Sequence, residues 1–148
     1  MKYVISILAV LFFMGVNANA ADTASFNISM KLYKPIDVTK VSDLDFGTQV
    51  QGTAADIVVA TGDAGAAEFS ASGGKNRSIT KSVVETTVNL ISGSDTITVD
   101  TFTVDGPTAF DGKTGLAAGL KAGATAHILS TTPDGDYAGS ATYRVVYQ

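Results

Sequence analysis

Cysteine and tryptophan are absent from this 148-residue chain, proline occurs three times, histidine once, and charged side chains make up 16%. Without cysteine there is no disulfide staple, so a domain of this size must be held by its apolar core and backbone ladders. The single histidine, His127, has no second imidazole and no thiol with which to build a zinc or copper site. No Gly-x-Ser-x-Gly elbow is present either. The reading is therefore no enzyme, with no catalytic residue, no metal ligand and no cofactor. The net charge is −4, and Lys31 with Lys34, Lys75 with Arg77, and Lys113 with Lys121 are scattered among acids. With no basic cluster to displace counterions from phosphates, nucleic acid is excluded as a partner.

The first twenty residues are of another kind. Lys2 is followed by the apolar run Tyr3–Val16 and then by Ala18-Asn19-Ala20. This order is that of a signal peptide with a small-residue cleavage site. The run falls short of the ~20 residues that cross a bilayer. Residues 1–20 are thus read as a leader for export, and the mature chain, from Ala21, as having no membrane span.

Beyond the leader, period-two alternation dominates. Phe26, Ile28, Met30 and Leu32 alternate with polar residues, and Pro35 separates that strand from a second at Ile36, Val38 and Val41. Further strands are predicted at Leu44–Phe46, Ile57–Ala60, around Phe69, within Ser78–Ile91, at Thr96–Val104 and at Ala124–Ser130, with the last and longest at Tyr137–Tyr147. The glycine-rich stretch Gly106–Ala124 reads as loop with a short helical turn near Leu116–Leu120. Seven to nine short strands with turn chemistry between them predict an all-β antiparallel sandwich with Greek-key connections.

Isolated polar features have modest readings. Alternation places His127 on a strand, on the face of Thr125 and Leu129, as a solvent-facing or hydrogen-bonded residue. The pairs Asp43/Asp45 and Asp134/Asp136 put two carboxylates on one face but lack the twelve-residue calcium loop, and Asx turns at Asp43 and Asp134 account for them. Gly73-Gly74-Lys75-Asn76 lacks the spacing of a phosphate loop and reads as a hairpin turn. Asn27-Ile-Ser29 and Asn76-Arg-Ser78 fit the glycan-acceptor pattern and are silent in a bacterial source.

The two ends of the chain are the most specific. Counting back from Gln148, small or apolar residues occupy alternate positions at Tyr147, Val145, Tyr143, Ala141, Gly139, Tyr137 and Gly135. With glycine fourteenth from the end and tyrosine penultimate, this resembles the C-terminal signature of pilins of the bacterial chaperone–usher pathway. The closing residues 141–148, Ala-Thr-Tyr-Arg-Val-Val-Tyr-Gln, are similar to the end of type 1 fimbrial pilins, without the cysteine pair usual there. The segments Val41-Ser-Asp-Leu44-Asp-Phe46-Gly47-Thr48 and Tyr137–Tyr143 also resemble a family of small secreted bacterial pilin-like β-domains with a Leu-x-Phe-Gly-Thr motif.

The resemblance implies an immunoglobulin-like sandwich, residues 34–148, that lacks its last strand and is completed by a donor strand from a neighbouring subunit. Residues 21–33 would be that donor extension, inserting Phe26, Ile28, Met30 and Leu32, an instance of strand addition to an open edge. Gly135, Ala141, Tyr143, Val145 and Tyr147 would belong to the C-terminal strand on which a periplasmic chaperone pairs before an outer-membrane usher assembles a surface fimbria (pilus) from identical or related pilin subunits. The alternative is a monomeric secreted or periplasmic β-sandwich module that binds a glycan. The absence of tryptophan and of clustered aromatics speaks against sugar stacking.

Overall fold

Threonine, valine and isoleucine favour a pleated, half-buried surface, and wherever they alternate the chain is extended. The computed structural model describes residues 22–148; the expected leader, and Ala21, lie outside the described residues. Eight strands follow one another: β1 (Asp37–Ser42), β2 (Ala55–Val59), β3 (Ala67–Ser72), β4 (Ile79–Val83), β5 (Val88–Ser92), β6 (Asp95–Asp105), β7 (Leu116–Ile128) and β8 (Tyr143–Tyr147). The fold is all-β, its antiparallel sheets curled into a half-barrel. The larger sheet runs β1-β3-β7-β6-β5, and β2 also pairs with β7. The smaller sheet is β4-β8 alone.

The long strand β7 organises the larger sheet. Its first half pairs with β3, its second half with β2, and β6 flanks it on the other side. Ala117, Leu120, Ala122, Ala124 and Ala126 point inward and are buried. Gly119 sits at φ 72° between Ala117 and Leu120, where the register with β3 shifts. A bulge there lets the buried positions resume on the inner face, and only glycine adopts that backbone cheaply.

The strand sits where a loop with a helical turn is expected over residues 106–124. Alanine and glycine have poor strand propensity, so their local signal is weak. Pairing on both sides overrides it, and small side chains fit the crowded centre of a sheet. Three other expectations change. The last strand is Tyr143–Tyr147, not Tyr137–Tyr147, and β7 is the longest. Residues 73–77 make no hairpin: they carry the chain from β3 in one sheet to β4 in the other. Phe26–Leu32 joins no strand of this chain.

Two clusters form the core. In the first, the small sheet lies over part of the large one, and Ile79 and Val145 meet Ala71, Ala117, Leu120 and Phe110. Gly73 admits this packing, because a Cβ there would lie 2.7 Å from both Phe110 Cζ and the Tyr147 hydroxyl. The second cluster, Ile97, Val99, Ala124 and Ala126, has no second sheet above it, since β4 and β8 pack on the first. Irregular segments carrying Leu44, Phe46 and Tyr137 pack against it instead.

Two tyrosines of β8 make contrasting predictions. The Tyr147 hydroxyl accepts from Gly74 N at 2.7 Å and donates to Lys34 O at 2.6 Å. Tyr143 stacks on Phe69 with ring centroids 4.2 Å apart, and its buried hydroxyl meets no partner among the described residues. Burial, helped by the charge of Asp105, pushes the Tyr143 phenol up to about 12. Tyr147→Phe is expected to lose about 1–2 kcal/mol in urea unfolding, and Tyr143→Phe to be neutral or stabilising, because it removes a desolvated hydroxyl that bonds to nothing.

Candidate functional site

The half-covered face of the large sheet forms a groove of about 690 Å³. Leu90, Ile97, Val99, Phe102, Ala126 and Ile128 form its floor, on β5, β6 and β7. One wall is the chain leaving β1, residues 40–51, and the other is the chain leading into β8, residues 132–141. The groove therefore lies where the small sheet stops and no further strand continues it.

Each wall is fixed by a few hydrogen bonds rather than a ladder. On the first, Asp45 N donates to Gly65 O at 2.8 Å, and Gly47 N donates to Asp45 Oδ1 at 2.8 Å. The Asx turn in this wall thus belongs to Asp45, while Asp43 pairs with Lys40 at 2.6 Å. These contacts orient Leu44 and Phe46 toward the floor, which gives the Leu-x-Phe-Gly-Thr segment its structural role. On the second wall, Ile91 and Ala138 exchange backbone hydrogen bonds of 2.8 and 3.2 Å, and Tyr137 OH donates to Pro133 O at 3.0 Å. Partial burial, with the charges of Asp95 and Asp134, raises the Tyr137 phenol above its ordinary value. Asp43, Asp45, Asp134 and Asp136 make the walls acidic.

Strand edges beside the groove are open. β1 pairs only with β3, and β8 only with β4. Tyr147 at the end of β8 lies beside Tyr33 and Lys34, while Tyr143 at its start lies over Phe69, the residue opposite Lys40 of β1. β8 thus runs alongside β1 in the opposite direction, and no ladder joins them among the described residues. The entry into β8 is held by Glu85, whose carboxylate accepts from Thr142 N at 2.6 Å and from the Thr142 hydroxyl at 2.9 Å. Those bonds hold the Glu85 carboxyl below its usual value.

Of the residues expected on the C-terminal strand, Tyr143, Val145 and Tyr147 lie on β8, with Val145 buried in the first cluster. Gly135 and Ala141 lie outside it, in the second wall of the groove. The chain divides after Lys31. In the leading segment Phe26, Ile28 and Met30 are 81, 84 and 89% exposed, and Leu32, just beyond the division, is 88% exposed. An alternating apolar row wholly in solvent is an unsatisfied strand face. His127 is apart from the groove, on the outer face of β7 between two carboxylates.

The floor was not singled out in the sequence. Alternation marks Ile97, Val99, Ala126 and Ile128 as one face of a strand, but which half of that face a second sheet covers depends on where β4 and β8 end. Residues 36–147 match the family described as a domain of unknown function (DUF4402). No curated protein and no solved structure matches the chain.

Proposed function

Since the chain belongs to that family of unassigned function, we propose from its own geometry that it is a structural subunit of a bacterial surface fimbria that polymerises by donor-strand exchange. In this reading the leading segment of one copy inserts Phe26, Ile28, Met30 and Leu32 beside the open edges and into the groove of the next. The observation that carries it is that an apolar groove bordered by unpaired strand edges and a fully exposed apolar strand face occur in the same chain. Each supplies what the other lacks.

Charge supports the same pairing. Residues 22–34 carry Lys31 and Lys34 against Asp22, and the groove walls carry Asp43, Asp45, Asp134 and Asp136. Opposite signs favour encounter between copies, so assembly should slow as salt rises. The subunit would be exported through the periplasm, where a chaperone covers β8 and the groove until an outer-membrane usher adds the subunit to a filament. An exposed edge beside apolar surface is an aggregation hazard, which is the physical need for such a chaperone.

The test is Met30→Asp in the mature chain. A charge that must be desolvated inside an apolar groove should abolish filaments in electron micrographs while leaving the circular dichroism of the folded body unchanged. Filaments of normal length from this variant would refute the reading. A groove of this volume is also within the range of small-ligand sites. A monomeric binding module would then be recognised by a chain that stays monomeric at high concentration whatever residue stands at 30.

A further inference from the structure

We propose that Asp56, His127 and Asp100 form a pH-responsive clamp across three strands, tight in mild acid and slack in mild alkali, that governs how firmly β2 is held to the sheet. His127 lies on β7, opposite Asp56 of β2 and Thr98 of β6. Its Nδ1 is 2.7 Å from Asp56 Oδ1, and its Nε2 is 2.9 Å from Asp100 Oδ1. A neutral imidazole has one N–H and one lone pair, so it can donate to only one of two carboxylates and turns a lone pair toward the other. The imidazolium donates to both. The geometry therefore suits the charged ring.

Asp100 is fixed from its other side. The Thr101 hydroxyl donates to the same Asp100 Oδ1 at 2.7 Å. Thr101 has φ 50°, a left-handed backbone that β-branched residues rarely adopt, at the irregularity of β6 between Asp100 and Thr103. Asp56 from β2 and Asp100 from β6 are the charged groups that face the ring; its other neighbours across the ladders and along β7, Thr98 and Thr125, carry none. The hydrogen bond to Asp100, then that to Asp56, raises His127 above its ordinary 6.5, and His127, then Thr101, lowers Asp100 below its ordinary 3.8.

The sign follows from linkage. A raised imidazole contributes stability that is fully present below its unfolded value and is lost as pH rises through the folded value. The depressed Asp100 contributes above its unfolded value and is lost as pH falls through the folded one. The clamp is thus tightest between the two, in mild acid. Because β7 is the only strand with which β2 pairs, β2 is the element that should respond. All three side chains are at least 36% exposed, so salt should weaken the effect.

Native-state hydrogen exchange of the mature full-length chain, corrected for intrinsic rates, is read between about pH 5 and 9 together with the nitrogen signals of the imidazole. The expected result is a His127 that titrates above 6.5 with both N–H groups present in acid. Protection of the β2 amides should fall several-fold across that titration and be flat with pH in His127→Gln. Asp56→Asn keeps the histidine and should lower its titration point and shrink the response, which keeps the test open if His127→Gln folds poorly. A His127 that titrates at or below its ordinary value overturns the proposal. So does a β2 response unchanged in either variant.

Discussion

A mature chain lacking residues 21–33 is expected to stay folded, to form no filaments by itself, and to stop growth when mixed with the full-length subunit. It retains the groove and can accept a strand, but it has none to donate. The size of the effect follows from exposure. Phe26, Ile28, Met30 and Leu32 are 81–89% exposed, and burying each is worth roughly 1.5–3 kcal/mol, on the order of 6–12 kcal/mol before ordering costs. That is comparable to the ~5–15 kcal/mol that keeps a whole domain folded, so its loss should abolish assembly rather than slow it. The melting temperature of the monomer should change little, since the deleted residues belong to no strand of the body. A truncated chain that unfolds, or that still elongates filaments, would contradict the account.

The second large effect is at Phe110. Phe110→Ala should cost about 3–5 kcal/mol and lower Tm by on the order of 10 °C in a thermal melt. The ring is 2% exposed, meets Tyr147 edge-on at 5.8 Å between centroids, and sits over Gly73. Removing it opens a cavity between the sheets and also loosens Tyr147, whose hydroxyl anchors the chain just ahead of β1 through Lys34 O. The variant should therefore form filaments poorly even below its Tm. A loss under about 1 kcal/mol would mean the sheets close over the gap.

The all-β class, the antiparallel arrangement and most strand positions were legible because Thr, Val and Ile alternate so plainly. β6 and β2 appear almost where the pattern places them. β7 was hidden because its inward residues are alanines and its rhythm breaks at Gly119, so local propensity pointed to a loop while pairing on both sides made a strand. The end of β8 was readable from Tyr143, Val145 and Tyr147; its start was not, because Gly135–Ala141 carries the same alternation as a wall of the groove. The exposed face of Phe26–Leu32 was visible as an apolar row. The groove was not, since it arises from the mismatch between a long sheet and the two-stranded sheet above it. His127 was legible as a hydrogen-bonded strand residue, but its two carboxylates come from β2 and β6, 71 and 27 residues away.

The most direct measurement mixes an unlabelled peptide of residues 22–33 with the isotope-labelled chain lacking them and records intermolecular contacts by nuclear magnetic resonance. The account predicts contacts from the peptide's Ile28 and Met30 to the methyl groups of Ile97, Val99, Ala126 and Ile128, new hydrogen-bonded amides along β8, and a higher Tm for the complex. A peptide that leaves those methyl signals and the melting curve unmoved, at concentrations where the full-length chain forms filaments, would contradict it.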